Sequence, residues 1–344
     1  MNMMLQGLLP VVRRISSGVP SLYRKMSSSS YVPKEISIPV HWGEVRGRLW
    51  EEEDATSGPK KTIFGIHGWL DNAGTMNGIG PHLPPGYKFY VFDQPGCGLS
   101  SSNADAWGYN YNHHLIWIRH LKELLGLERE KTSLIAFSLG SLFAQSYACS
   151  FPSDIDRIVQ MDLIYAPVLP IESIFQGYKM YVQGALRINR HILSTEKSPP
   201  EFSLEEATKV YHSAISERNG ENALTEESVR ILMERGMMEM PNGKYRWRHD
   251  PRQAIPPPNT ITQDLMHHTA LTLKCPLLLI KASDFMLYLH PKHAESFLSF
   301  QREHNPHFRY EEIQGGHYAH LNYPERVLPL IRDFLSESFE TETA

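Results

Sequence analysis

The sequence predicts an α/β protein built on a mostly parallel sheet of eight strands, with helices on both faces and a helical insertion. Three observations support this class. Strand patterns alternate with helical patterns along most of the chain, and several predicted strands are apolar almost throughout, as in sheets that are covered on both faces. The stretch from about 166 to 270 breaks the alternation, because it contains helical patterns and no convincing strand.

Each predicted strand is a short apolar or alternating run. The first alternates, with Ile36, Ile38, Val40 and Trp42 at every second position. The eight predicted strands, in chain order, are EISIPVHW (35–42), VRGRLWEE (45–52), KTIFGIHG (61–68), YKFYVFDQPG (87–96), TSLIAF (132–137), IDRIVQMD (155–162), CPLLLIKASD (275–284) and FRYEEIQGGH (308–317).

Helices are predicted where apolar residues recur at helical spacing, as Leu115, Ile118, Leu121 and Leu125 do. The other predicted helices are SLFAQSYACS (141–150), SIFQGYKMYVQGAL (173–186), SLEEATKVYHSAI (203–215), TEESVRILMERGMM (225–238) and PERVLPLIRDFLSESF (324–339). Three of these helices belong to the alternating core: the one that contains Leu115 and Leu125, and those at 141–150 and 324–339. The other three lie in the insertion.

The predicted domains are a core of 35–165 and 271–344, a helical cap at 166–270 inserted in it, and a separate segment at 1–34. A chain of 344 residues is long enough for one large domain with an insertion. The segment at 1–34 is serine-rich and basic, and the first acidic residue is Glu35. This composition predicts a mitochondrial presequence, with a disordered tail as the alternative. The predicted location is therefore intracellular, either the mitochondrial matrix or the cytoplasm.

Composition excludes several classes of function. The net charge of −4 argues against nucleic-acid binding. No run approaches the roughly 18 apolar residues that a membrane span needs, so no integral membrane segment is expected. The cysteines Cys97, Cys149 and Cys275 are odd in number and widely spaced, which predicts reduced thiols rather than a disulfide framework. The segment HPKH and the pairs of adjacent histidines each lack a convincing third metal ligand. No metal or cofactor is therefore predicted.

The motif AFSLGS places Ser138 between a predicted strand and a predicted helix, with Ala136 and Gly140 two residues to either side. This is the pattern of a nucleophile elbow, small-x-Ser-x-small. The turn is so sharp that a large side chain at either flank would collide with its surroundings, and the following helix points its N–H groups toward the serine. Ser138 is therefore the predicted nucleophile. A helix N-cap serine is the alternative interpretation.

A second segment, GIHGWLDNAGT, follows a strand and supplies a turn near the elbow. We expect the backbone N–H of Trp69 to pair with that of Leu139 and to form an oxyanion hole. His67 is interpreted as a residue that fixes this turn rather than as an acid or a base.

The general base is expected in IQGGHYAHLNYPERV, where a strand ends in two glycines. His317 follows these glycines, which let its loop approach the serine, and His320 is the competitor. The chain order, with serine first and histidine last, supports His317. For the acid, Asp284 and Asp162 each follow a strand and lie between the serine and the histidine, while Asp93 precedes the serine and is interpreted as structural.

These motifs together resemble the α/β-hydrolase superfamily, and HGWLDNAGT is especially similar to the serine hydrolase-like (Kraken-like) family. The resemblance spans about 35–340. It implies the α/β-hydrolase fold, Ser138 as nucleophile, His317 as base, and the oxyanion hole at Trp69 and Leu139. The sequence departs from the family's pattern at Ala136, which replaces a glycine, at Phe137, where histidine is common, and in the short KASDF loop. Asp284 is preferred as the acid, and Asp162 is kept as the alternative.

The predicted function is a serine hydrolase of the carboxylesterase type, which acts through an acyl-enzyme on small or medium acyl esters. The partner is then a small-molecule ester, with the oligomeric state left open. Two alternatives remain at this point: a carbon–carbon bond hydrolase with the same triad, and a non-catalytic ligand-binding protein on the same fold. An epoxide hydrolase or a haloalkane dehalogenase is disfavoured, since either needs a carboxylate where Ser138 stands.

Overall fold

A computed structural model describes residues 13–14, 33–52, 60–103, 108–194, 199–219, 224–255, 260–284 and 291–339. The predicted presequence therefore lies outside the described residues, apart from 13–14 and 33–34. The strands are β1 (Arg13–Arg14), β2 (Lys34–Val40), β3 (Gly43–Glu51), β4 (Lys61–Ile66), β5 (Tyr87–Phe92), β6 (Thr132–Phe137), β7 (Ile155–Met161), β8 (Met237–Glu239), β9 (Tyr245–Trp247), β10 (Leu277–Ala282) and β11 (Phe308–Ile313).

The α-helices are α1 (Tyr111–Leu124), α2 (Leu139–Ser150), α3 (Ile174–Leu193), α4 (Leu204–Asn219), α5 (Glu226–Gly236), α6 (Gln263–Thr272), α7 (Pro291–His304), α8 (Ala319–Asn322) and α9 (Leu328–Ser336). None of the helices in the described part of the chain is both long enough and apolar enough to cross a bilayer.

The main sheet has the strand order β1-β2-β3-β5-β4-β6-β7-β10-β11. The pairs from β5 to β11 are parallel, whereas β1, β2 and β3 pair antiparallel at one edge. The eight predicted strands are all present, and the two-residue β1 adds a ninth. The central strands β4, β6 and β7 are buried almost throughout, as expected for parallel strands between two helical layers.

The insertion between β7 and β10 packs on the sheet and does not stand apart from it. Tyr211 of α4 and Leu232 of α5 belong to the same buried cluster as Phe89, Ile135 and Val159 of the central strands. Close packing of one continuous core means that movement of the insertion exposes apolar surface of both parts.

Two details of the insertion differ from the prediction. It contains the antiparallel hairpin β8–β9, whose turn includes Asn242 and Gly243, the latter at φ 75°. Asn-Gly is a frequent hairpin turn, so this signal was present in the sequence. The predicted boundary at 270 falls inside α6, whose Met266 and Ala270 pack with Phe297 of α7 against the core.

A buried ion pair joins the insertion to the sheet. Arg235 of α5 donates to both carboxylate oxygens of Asp93 after β5, with a shortest distance of 2.8 Å, and to both oxygens of Glu35 on β2 at 2.8 and 2.9 Å. The carboxylate of Asp93 also accepts the N–H groups of Ala73 and Leu99, each at 2.7 Å. Burial raises the pKa of Asp93, but the adjacent Arg235 outweighs it, so the pKa lies below its usual value. Asp93 is thus placed in a structural network, as interpreted from the sequence.

Replacing Arg235 by methionine is expected to lower the free energy of unfolding by about 3–5 kcal/mol, because Asp93 keeps a buried charge without its partner. The measurement is urea denaturation followed by circular dichroism. The matched control is Arg230→Met on the same helix, whose exposed pair with Glu226 should contribute about 0.2–1 kcal/mol. Equal losses in the two variants would contradict the expectation.

Candidate active site

Ser138 occupies the turn between β6 and α2 with φ 52° and ψ −125°, a conformation that non-glycine residues rarely adopt. Its backbone N–H donates to the carbonyl of Met161 on β7 at 2.9 Å, which fixes the turn. A β-carbon at Gly140 would lie 2.5 Å from the carbonyl oxygen of Ile66 and 2.7 Å from that of His67. Only glycine fits there, so α2 can approach β4 closely and hold Ser138 at the end of β6.

His317 lies between Ser138 and Asp162. Its Nε2 is 2.9 Å from Ser138 Oγ, and its Nδ1 is 2.7 Å from Asp162 Oδ2. An ionised carboxylate can only accept a hydrogen bond, so Nδ1 carries the hydrogen and Nε2 is left as an acceptor for the serine hydroxyl. The side chains of Ser138 and Asp162 are buried and that of His317 is nearly so. The arrangement can deprotonate the serine as it attacks a carbonyl.

The structure corrects the preference for Asp284 as the partner of the histidine. Asp284 is exposed, and its carboxylate accepts from Ser283 Oγ at 2.6 Å and from Gln314 Nε2 at 3.3 Å. Asp162 follows β7 directly, and β7 lies between β6, which carries the serine, and β10. The end of β7 is therefore one strand closer to the elbow than the end of β10, and the alternative acid takes the position beside the imidazole.

Asp162 is held by more contacts than the imidazole alone. Its Oδ1 accepts the backbone N–H of Ala282 at 2.9 Å and the ammonium group of Lys281 at 3.0 Å. Lys281 also donates to the carbonyl of Ala282. Lys281 was not predicted as a site residue, and its signal in the sequence is a single charge inside the otherwise apolar strand LLLIKA.

Backbone strain is concentrated at this site. Among the described residues, the non-glycine residues at positive φ are Leu70, Ser138 and Asp162, at 56°, 52° and 53°. Such conformations cost on the order of 1–3 kcal/mol each and persist where the surrounding structure enforces them. Two of the three are the residues hydrogen-bonded to His317, and the third follows the predicted oxyanion residue Trp69.

The segment with the predicted oxyanion donors lies against the serine. A β-carbon on Gly68 would be 3.2 Å from Ser138 Cβ, so the Gly68–Trp69 peptide borders the nucleophile, and Leu139 follows Ser138 directly. The indole Nε1 of Trp69 donates to the carbonyl of Gln253 at 2.8 Å and so ties this loop to the insertion.

His67 is buried within the turn. Its Nε2 accepts the N–H of Gln94 at 2.9 Å, and its Nδ1 lies 2.9 Å from the carbonyl of Gly68. Burial lowers the pKa of His67, which keeps the ring neutral. Both ring nitrogens are occupied by the backbone, in agreement with a role in fixing the turn.

His320 does not contact the serine; it lies 3.0 Å from Thr75 Oγ1 and is buried. Burial lowers its pKa to about 3, with His317 adding to the effect. Phe137 packs against both histidines, with ring centroids 4.6 Å from His317 and 4.1 Å from His320. The residue that departs from the family's pattern thus forms a wall that orients the imidazole of His317.

The fold defines the class of protein. The family model described as "alpha/beta hydrolase fold" matches residues 61–324, and the chain belongs to this family. Within it, the chain is 26% identical over 314 residues to a serine hydrolase-like protein of Danio rerio, with 90% of both chains covered. It is also 28% identical over 314 residues to a probable serine hydrolase of Drosophila melanogaster, with 89% of this chain and 88% of the relative covered.

Solved structures agree with this assignment. A hypothetical protein from Pseudomonas aeruginosa PAO1 superposes with a TM-score of 0.74 at 25% identity, which covers 88% of this chain and 99% of that protein. A thioesterase domain from the curacin biosynthetic pathway has the same fold, with a TM-score of 0.66 at 18% identity, covering 87% and 99%. The predicted fold class and the resemblance to serine hydrolase-like proteins are confirmed: the chain has the α/β-hydrolase fold and is similar to serine hydrolase-like proteins.

Proposed function

We propose that the protein is a serine esterase, in which Ser138, His317 and Asp162 hydrolyse small or medium acyl esters through an acyl-enzyme. The observation that carries the proposal is the chain of two short hydrogen-bonding distances, 2.9 Å from Ser138 Oγ to His317 Nε2 and 2.7 Å from His317 Nδ1 to Asp162 Oδ2. The names of the serine hydrolase-like relatives support the same class of reaction.

In the first step, Ser138 Oγ forms a bond to the ester carbonyl carbon as its proton passes to His317 Nε2. The carbonyl oxygen becomes an oxyanion, which the N–H groups of Trp69 and Leu139 stabilise; one such donor is typically worth about 3 kcal/mol. The tetrahedral intermediate then expels the alcohol, which takes the proton from His317. Asp162 stabilises the positive imidazolium throughout and remains ionised.

In the second step, water attacks the acyl carbon and gives a proton to His317. The new intermediate breaks its bond to Ser138 Oγ, which recovers that proton, and the carboxylic acid leaves. Ser138 is only 9% exposed, so the ester must reach a nearly enclosed serine. We also propose that the insertion between β7 and β10 forms a cap that covers the site.

The proposal is tested with the wild-type protein, a fluorophosphonate probe and a series of p-nitrophenyl esters of increasing acyl length. We expect covalent labelling and hydrolysis that is fastest for short or medium chains. Labelling without hydrolysis of any ester would overturn the substrate class but retain an activated serine. A folded protein that does neither would favour the ligand-binding alternative.

The activity should persist into mildly acidic solution. The base must be neutral, so activity is present above the pKa of His317 and is lost as the pH falls through it. Burial lowers the pKa of His317, Asp162 raises it, and Lys281 lowers it further; the result lies below the usual value of 6.5. Burial lowers the pKa of His320 to about 3, so His320 stays neutral over this range.

Replacing Lys281 by methionine is expected to move the acidic limb of the kcat/KM profile upward, by less than about 1 pH unit. A direct charge contact shifts a pKa by 1–3, but Lys281 acts on His317 through the intervening carboxylate. The control is Lys274→Met, since Lys274 is exposed and donates to the carbonyl of His304 at 2.8 Å. A downward movement, or an equal movement in the control, would contradict the expected sign.

A further inference from the structure

Among the residues that the structure describes, helix α3 packs by one side. Its positions 174, 177, 181, 184 and 188 are half-buried, and Ala185 is buried. A β-carbon on Gly184 would lie 3.2 Å from Ile255 Cγ2, so this side contacts the segment just after Gln253, whose carbonyl accepts from the Trp69 indole. One packing contact and one hydrogen bond therefore connect helix α3 with the segment that borders Ser138.

The outer side of α3 carries an apolar stripe. Phe175, Tyr178, Val182 and Leu186 are exposed and recur at i, i+3, i+7 and i+11, which places them along one line of the helix. Phe175 is 78% exposed. The exposed Ile171, in the turn before the helix, extends the stripe at its amino-terminal end. Contiguous exposed apolar surface of this kind marks an interaction site.

A basic stripe runs beside the apolar one. Lys179, Arg187 and Arg190 are exposed, and the 20 residues of α3 contain no acidic residue. Glu172, in the preceding turn, is the nearest acid along the chain. This local positive charge stands on a protein whose net charge is −4, so it is not a reflection of overall composition.

An apolar line with lysine and arginine beside it is the pattern of helices that lie in the plane of a membrane surface. Charge complementarity selects the partner. A second copy docked through the same face would bring two basic stripes together, since a two-fold interface pairs each patch with itself. Anionic lipid headgroups neutralise these charges and leave the apolar stripe to enter the acyl boundary.

We propose that α3 is an interfacial helix that binds the surface of an anionic lipid bilayer through Phe175, Tyr178, Val182 and Leu186, with Lys179 and Arg190 on the headgroups. This inference is independent of the proposed hydrolysis, because it concerns the outer side of α3 and not the triad. It implies that the insertion is the part of the protein that faces the membrane.

The test is co-sedimentation of the wild-type chain with vesicles of phosphatidylcholine alone, or of phosphatidylcholine with phosphatidylserine. We expect binding to the anionic vesicles that weakens as salt is raised. Phe175→Asp and Val182→Asp should each lower the affinity by more than about tenfold, since an apolar side chain is lost from the acyl boundary. Lys179→Gln and Arg190→Gln should each lower it by about fivefold, on anionic vesicles only.

Ile116→Asp is the matched control, since Ile116 is an apolar residue of core helix α1 whose exposure lies between those of Val182 and Phe175, and the variant should bind like the wild type. Ser138→Ala should also bind normally, which separates this inference from the catalytic proposal. Thermal unfolding verifies that each variant is folded. The inference is overturned if the wild type ignores both vesicles, if Ile116→Asp weakens binding as Phe175→Asp does, or if Phe175→Asp converts a dimer to a monomer without affecting vesicles.

Discussion

Replacing Ser138 by alanine is expected to abolish fluorophosphonate labelling and to lower kcat for ester hydrolysis by about 10⁶-fold. The size of the loss follows from the removal of the proposed nucleophile, as in serine hydrolases that lose theirs. His317→Ala should produce a loss of similar size, and the double variant should be little worse than either single one, because the two residues act as a unit.

The matched control for this experiment is Ser141→Ala. Ser141 lies one turn along the same helix and is buried, and its hydroxyl donates to the carbonyl of Ala136 at 3.2 Å. The Ser141→Ala variant should keep its labelling by the probe and most of its hydrolytic activity. If Ser138→Ala retains hydrolysis while remaining folded, the reaction uses another group and the proposed mechanism is wrong.

Replacing Asp162 by asparagine is expected to lower kcat by about 10⁴-fold. The amide cannot stabilise the imidazolium, and it favours the tautomer whose Nε2 carries the proton and so cannot accept one from Ser138. Asp284→Asn should change activity by no more than about threefold, since the exposed Asp284 carboxylate accepts from Ser283 and Gln314 and surface substitutions are usually small in effect.

These two aspartate variants form a symmetrical comparison, because both residues follow neighbouring strands of the sheet. Steady-state hydrolysis and the rate of probe labelling, measured on both, distinguish the two assignments. A large loss in Asp284→Asn with an active Asp162→Asn would show that the loop after β10 moves to the histidine during turnover.

The strands, the strand-to-helix turn at Ser138 and the position of His317 near it could be predicted because each has a local signal. Buried parallel strands are short apolar runs, and Ser138 needs small neighbours at fixed positions such as Gly140. The glycines before His317 marked a loop that can approach the serine. Each of these features depends on residues that are close together in the chain.

The carboxylate that lies beside His317 could not be predicted from a local signal. Asp162 and Asp284 both follow a strand in the right chain order, and the choice depends on which strand lies next to β6. That neighbour is β7, a fact of sheet topology that no local pattern contains. The role of Lys281 was inaccessible for the same reason, because its contact with Asp162 spans 119 positions of the chain. The hairpin β8–β9 was missed because its strands have only three residues each.

The Arg235 ion pairs and the shared cluster around Tyr211 and Leu232 have a consequence for how the protein loses its structure. The insertion is fixed to the sheet by buried charge and shares its core with it. We therefore expect that the insertion does not stay folded when the sheet unfolds. Insertion and sheet should therefore melt in a single cooperative transition, and a ligand bound under the insertion would raise the melting temperature of the whole chain.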